Sequence, residues 1–368
     1  MSYFQNIRLE NYRNFNDFKL NFSSGCNVIT GINGSGKTNI LEALSLFEKG
    51  RGFRKENLKN LVNFNNKLNN FKVSSTFFSN NEEYNIKLAI ENKYSNSLKK
   101  LTINDDSSGE FKKYFENLFS LIYFLPEMER FFVSNPSVRR NFLDRLVYNV
   151  DKKYITLVNS YKKNILERSK ILKNYKYDEN WINEIEKKIV KLGTDIYNQR
   201  INHLNKINIY LEKLRNFNKF SYKIKLFIND DLINKDHKIS EEIYNQYVLD
   251  LKNNRYLDSI LGGCKIGPHK SDISGFNFTD NFNVKHFSTG QQKTLILLII
   301  LSQCKFLIEE LQIKPIIFFD EVCSHLDHAN REVLFEIIET LKVQTFLTGT
   351  EKSFFSFLST KASYCNIV

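Results

Sequence analysis

Gly31-Ile32-Asn33-Gly34-Ser35-Gly36-Lys37-Thr38, the stretch GINGSGKT, fits the pattern G-x-x-x-x-G-K-[ST]. Backbone N–H groups of such a loop wrap phosphates, its lysine reaches the β and γ oxygens, and its terminal hydroxyl ligates Mg2+. The pattern has this meaning only between a strand and a helix. Cys26-Asn27-Val28-Ile29-Thr30 before it reads as a strand, and Asn39 to Phe47 after it sets Ile40, Leu41, Leu44 and Phe47 at helical spacing. The stretch therefore predicts an α/β protein that binds ATP with Mg2+, with Lys37 and Thr38 as the phosphate and metal contacts.

Upstream, FQNIRLENY and FKLNF alternate apolar and polar residues and read as strands. Downstream, FKVSSTFF, YNIKLAI and KKLTIN predict an antiparallel sheet between about residues 68 and 104. From about 136 to 215 the pattern becomes charged and helical, broken by NYKYDEN, which predicts an antiparallel helical pair with arms of at most about 35 residues, ~50 Å long. The chain then returns through GPHK and GQQK to a helix over 289–311. A buried strand follows at Pro315 to Phe319, then a helix over 328–341 and a strand over 344–348. The two ends thus build one parallel sheet. The expected organisation is an ATPase lobe of 1–122 plus 284–368 and an inserted, mostly helical lobe of 123–283.

Two further places carry chemistry. Asp320 ends an apolar strand, the position for an acid that holds Mg2+ opposite Thr38, and Glu321 beside it is placed to orient or deprotonate the attacking water. Ser288-Thr289-Gly290-Gln291-Gln292 opens a helix. Ser288 and Thr289 are cap residues, Gly290 allows close backbone approach, and the helix start favours an anion.

Composition narrows the class. The chain has 368 residues and a formal charge of +12, which suggests a polyanion as partner, although an evident Lys, Asn and Ile bias raises Lys independently of binding. Thr294 to Ile308, the longest apolar stretch, has fifteen residues with three polar interruptions, against about 20 for a membrane span. MSYFQNIRLENYRNF lacks the features of a signal peptide, and five scattered cysteines without a C-x-x-C pair read as reduced thiols. A cytoplasmic protein is expected. His325 and His328 flank Leu326-Asp327 but lack a third ligand nearby, so they read as structural.

GINGSGKTN, STGQQK, IIFFDE followed by Ser324-His325-Leu326-Asp327, and QTFLTGT stand in the order of the ABC-type ATPases: phosphate loop, signature, acidic strand and switch strand. Within that superfamily the chain resembles the RecF family, related to the SMC proteins, through LENYRNF, GSGKTNILEAL running to GRGFR, FLPEMERFFVSNPSVRRNFLD and GPHKSD. The likeness covers nearly the whole length. It implies an ABC-type ATPase head in which ATP is sandwiched head to tail between two copies and slow hydrolysis releases them. Ser288 and Gly290 would then act on the partner copy's nucleotide, Asp327 would lie at the dimer interface, Glu127 in the loop joining the lobes beside the metal, and Arg13 and Asn14 near the nucleotide. It also implies DNA repair and replication, binding to single-stranded or gapped DNA, and work with RecO and RecR to help load RecA.

The signature reads STGQQ where transporter ATPases have LSGGQ, and the switch strand carries Thr348 and Thr350 without a histidine; both are similar to RecF. Glu321 stands where many RecF chains have a second Asp. A transporter motor would need that histidine, and a chromosome-structural SMC protein would need far longer arms. Arg51, Arg54, Lys55, Arg139, Arg140 and His269-Lys270 are the candidate DNA phosphate contacts.

Overall fold

The computed structural model describes residues 2–65, 70–93, 96–174, 176–217, 222–233, 240–324, 326–358 and 362–367. In chain order, β1 (Tyr3–Phe4), β2 (Asn6–Tyr12), β3 (Phe15–Asn21) and β4 (Cys26–Gly31) lead into α1 (Lys37–Ser45). β5 (Lys72–Ser79), β6 (Glu82–Lys93), β7 (Asn96–Ile103), α2 (Gly109–Glu116) and β8 (Leu121–Phe124) follow. Next come α3 (Pro136–Val150), α4 (Tyr154–Leu172), α5 (Glu179–Phe217), β9 (Ile224–Asn229), α6 (Glu241–Asn253), α7 (Arg255–Leu261), β10 (Asp272–Asn277) and β11 (Phe282–Asn283). The chain ends with α8 (Thr289–Leu311), β12 (Ile316–Phe319), α9 (His328–Leu341), β13 (Thr345–Gly349) and β14 (Ala362–Ile367).

Two compact units emerge: Met1–Glu129 with Ile296–Val368, and Arg130–Leu295. Both junctions fall further along the chain than the sequence suggests. At the first, β8 pairs in parallel with β12 and so draws the turn after it into the first unit. At the second, the start of α8 is held by residues of the second unit: Phe287 packs on Tyr222 with ring centroids 5.2 Å apart.

In the first unit a parallel sheet runs in the order β14-β4-β13-β12-β8. β12 and β13 are buried at every position, as strands covered on both faces must be, which explains their continuous apolar reading. A second, antiparallel sheet runs β3-β2-β5-β6-β7 with β1 beside β5, and alternating burial along β5 shows one face in the core. The fully buried Gln344 joins the two layers: its amide oxygen accepts from Phe4 N at 2.8 Å, and its amide nitrogen donates to Phe4 O at 2.7 Å and Ser23 O at 2.8 Å.

In the second unit α4 and α5 pack side by side. The first expected arm is two helices, because Asp151 leaves helical geometry (φ −129, ψ 105) and its carboxylate accepts Lys153 N at 2.8 Å, ending α3 before α4 begins. α5 spans 39 residues, or ~58 Å of helix. Arg168, fully buried, binds Glu186 at 2.8 Å and Asp258 at 2.7 Å and so ties α4 to α5 and α7. The order β11-β10-β9 makes a small antiparallel sheet. Among the described residues, no helix is long and apolar enough to cross a membrane.

Candidate nucleotide-binding site

The loop between β4 and α1 is forced by its glycines at one place above all. Gly36 caps α1 at φ 107, and a Cβ there would stand 2.5 Å from the Phe15 ring and 2.8 Å from the Asn14 amide, so no side chain fits. Asn14 holds the loop from outside, donating to Ser35 O at 2.9 Å and accepting from Asn39 Nδ2 at 2.9 Å. Ile32 stands at the tip, 76% exposed. Lys37 is buried; its ammonium donates to Gly31 O at 2.8 Å and Ile32 O at 3.1 Å and lies 3.4 Å from Glu321 Oε1.

Across from the loop, Asp320 follows the last residue of β12. Its two carboxylate oxygens face the Thr38 hydroxyl at 2.9 Å each, and Oδ1 also accepts from the Thr348 hydroxyl at 2.7 Å. Burial raises the Asp320 carboxyl above its ordinary range, and the hydroxyls of Thr348 and Thr38 pull it back. Thr348 in turn accepts from Glu321 N at 2.9 Å, so the switch strand positions both acids. Glu321 sits at φ 50, a left-handed conformation unusual for a non-glycine residue, and its carboxylate lies 3.4 Å from the Lys37 ammonium. The opposed Thr38 hydroxyl and Asp320 carboxylate are hard oxygen donors of the kind Mg2+ takes. Ser35 Oγ, buried in the loop, has no hydrogen-bond partner among the described residues, as expected of a group that faces a ligand oxygen.

Several expected residues do other work. Arg13 donates from Nε to Glu42 Oε2 at 3.0 Å and from Nη2 to Oε1 at 2.8 Å, and Arg54 stands 3.6 Å from the same carboxylate. Glu42 is fully buried on α1, so Arg13 and Arg54 compensate it, and the loop's helix is anchored by an ion pair. Neither guanidinium is a free phosphate contact. Glu42 escaped the sequence reading, although a charge inside the apolar run Ile40-Leu41-Glu42-Ala43-Leu44 was its signal. Glu127 is exposed in the turn after β8 and makes no hydrogen bond or ion pair among the described residues. Glu129 is the acid that reaches the acidic loop, accepting from Ser324 Oγ at 3.1 Å. Asp327 caps α9, accepting from Asn330 N at 2.8 Å, while His325 lies outside the described residues. Arg51 and Lys55 are exposed.

In the second unit, Ser288 and Gln291 form a reciprocal cap on α8. Ser288 N donates to Gln291 Oε1 at 2.8 Å and Gln291 N to Ser288 Oγ at 3.3 Å, while Gln291 Nε2 donates to Tyr222 OH at 2.8 Å. Ser288 and Thr289 are exposed and Gly290 half-buried. Arg139 is a correction: buried, it binds Asp272 at 2.7 and 2.6 Å and the carbonyls of Phe132 and Ser134, and so braces α3 against β10. Arg140 is half-buried and Lys270 exposed.

The family described as RecF/RecN/SMC N terminal domain matches residues 3–364. The chain is 32% identical over 350 residues to the DNA replication and repair protein RecF of Rickettsia prowazekii, covering 95% of this chain and 94% of that protein. To the protein of the same name from Rickettsia conorii it is 33% identical over 374 residues, covering 98% of each. Among solved structures, the recombination mediator protein RecF-ATP in the RecFOR pathway is similar at TM-score 0.80 and 28% identity, covering 96% of this chain and 94% of that one. The Smc head domain of Pyrococcus furiosus with an extended coiled coil shares the fold alone, at TM-score 0.55 and 16% identity over 97% of this chain and 92% of that one.

Proposed function

The chain belongs to the RecF family, with the ABC-type ATPase head of RecF and SMC proteins, and on that premise we propose that it is an ATP-switched DNA-binding protein of recombinational repair and DNA replication. Mg-ATP pairs two copies head to tail on single-stranded or gapped DNA, and slow hydrolysis separates them. RecO and RecR are its partners in helping RecA onto the DNA, in keeping with the RecFOR pathway named for the similar structure, and its place is the cytoplasm.

The observation that carries this reading is the Asp320 carboxylate, which accepts from the Thr38 hydroxyl at 2.9 Å and the Thr348 hydroxyl at 2.7 Å, with a buried Lys37 next to Thr38 in the chain. Backbone N–H groups from Gly31 to Thr38 cradle the phosphates and Lys37 neutralises the β and γ oxygens. Thr38 and Asp320 would hold Mg2+, which would spread the charge that develops on the phosphate oxygens. Glu321 accepts the proton of the attacking water, and its 3.4 Å approach to Lys37 couples base and phosphate ligand. Thr348 holds Asp320 and the Glu321 backbone together. Ser288 and Gly290 meet the nucleotide of a second copy, which agrees with the exposure of Ser288 and the partial exposure of Gly290 at the start of α8.

Light scattering on the purified protein, with and without ATP and a gapped duplex, tests the switch and the ligand together. A dimer only with ATP, and DNA retained only by that dimer, is the expected result. A monomer under every condition would overturn the reading.

A further inference from the structure

The stretch Gly267-Pro268-His269-Lys270-Ser271-Asp272 is fastened from beneath along nearly its whole length. A Cβ on Gly267 (φ 123) would overlap the hydroxyls of Tyr161 and Tyr247, which lie 3.1 Å from each other. Pro268 O accepts from Arg200 Nη1 at 2.6 Å. His269 uses both ring nitrogens, Nδ1 with Tyr161 OH at 2.8 Å and Nε2 with Cys264 O at 2.8 Å. A carbonyl can only accept, so Nε2 carries the proton and Nδ1 accepts from Tyr161; burial keeps this ring below the usual histidine range and hence neutral. Ser271 Oγ accepts from Arg200 at 3.0 Å, Ser271 O accepts from Arg140 Nη1 at 2.7 Å, and Asp272 is held by Arg139 at 2.6 Å. Lys270 is the exception: among the described residues its backbone N–H bonds to Gly267 O at 2.8 Å and its side chain has no partner.

The charges around this turn do not balance. Its two acids are already paired, Asp272 with Arg139 and Asp144 with Arg200 at 2.8 Å. Among the described residues, neither Arg140 nor Lys270 has an ion-pair partner. Arg140 is half-buried, and its burial together with the neighbouring Arg200 lowers its proton affinity despite the opposing pull of Asp272 and Asp144, whose carboxylates are engaged by Arg139 and Arg200. A half-buried guanidinium beside other cations persists because a rigid frame holds it there, and an anion relieves it.

We propose that the Gly267–Asp272 turn is a built phosphate-contact site, in which Lys270 and Arg140 take one or two phosphodiesters of bound DNA while Arg200, Tyr161 and His269 fix the turn that presents them. This rests on the DNA-binding reading above and names part of the surface it requires. Because contact is to backbone and not to base edges, the site is indifferent to sequence and its strength falls with salt.

Lys270→Gln, Arg140→Gln and the double variant, each as the full chain with ATP, are titrated with a labelled gapped duplex between about 50 and 200 mM salt. Each single change is expected to weaken binding roughly fivefold to tenfold and to reduce the slope of log affinity against log salt by about one, with ATP affinity unchanged and, for Lys270→Gln, melting temperature unchanged. Lys270→Gln alters only an exposed side chain, so it reports on the site even if Arg140→Gln loosens the turn. DNA binding with wild-type slope in both Lys270→Gln and the double variant overturns the proposal and leaves the general DNA reading intact. Failure of the wild type to bind DNA with ATP overturns both. Inorganic phosphate, added to the wild type at constant ionic strength, distinguishes the source of the anion. Displacement of DNA at about tenfold below the salt needed for general screening marks a small-anion pocket and contradicts the backbone contact.

Discussion

The start of α1 and the start of α8 are both glycine-bearing helix beginnings fit to hold phosphate, and they are built in opposite senses. At α1 the groups turn inward: Lys37 is buried against loop carbonyls, and Thr38 meets Asp320 at 2.9 Å. At α8 they turn outward. Ser288 and Thr289 face solvent, and their cap is closed by Gln291, itself pinned to Tyr222 at 2.8 Å. The inward turn meets partners from its own chain, whereas the outward turn leaves Ser288 and Thr289 open to solvent, as the proposed contact with a second copy requires. The same contrast separates two adjacent arginines: Arg139 is paired with Asp272, and Arg140 has a carbonyl but no acid.

The largest test of the inward half is Glu321→Gln, which is expected to slow hydrolysis ~10² to 10⁴-fold while ATP-bound dimers accumulate. Phosphate release at the wild-type rate would remove Glu321 as the base. Next, Arg139→Gln strands Asp272 in a mostly buried site and is expected to cost about 3 to 5 kcal/mol in urea unfolding, with the salt dependence of DNA binding unchanged. A stable variant with a reduced salt slope would instead return Arg139 to the DNA surface. Lys37→Ala removes a charged contact to phosphate and is expected to weaken ATP binding by about 1.5 to 3 kcal/mol in calorimetry; undiminished affinity would break the phosphate-loop assignment.

The smallest effect concerns pH. Burial raises the Asp320 carboxyl above its unfolded value, so its contribution to stability is greatest at low pH and is lost as pH rises through the folded value. Ionised at neutral pH, it destabilises the metal-free fold. Asp320→Asn is therefore expected to raise stability by about 0.5 to 2 kcal/mol in chelator at neutral pH, a gain that vanishes toward the ordinary aspartate range. Melting curves that shift equally at both pH values would show that the carboxylate is not under strain.

Much of this arrangement was legible in the residues. The expected helices over 289–311 and 328–341, the strand from Cys26 to Thr30 before GINGSGKT and the buried strand from Pro315 to Phe319 match α8, α9, β4 and β12. These are long or largely buried elements with a clear apolar pattern. β14 escaped notice because it is an edge strand with mixed burial, and ASYCNI lacks a clean period. α7 escaped because its charges face inward: Arg255 and Asp258 are buried while Tyr256, Ile260 and Leu261 are exposed, the reverse of the usual pattern. In the site, Lys37, Thr38 and Asp320 follow from motif spacing, and the structure brings them together. The roles of Arg13, Arg54 and Arg139 depend on Glu42 and Asp272, partners distant in sequence, which spacing alone does not reveal.

The central claim is that the outward turn at α8 completes the nucleotide site of a second copy, and Ser288→Arg in light scattering tests it most directly. The account predicts that the monomer binds ATP with wild-type affinity and that no ATP-dependent dimer forms. ATP-induced dimers at wild-type yield would contradict it.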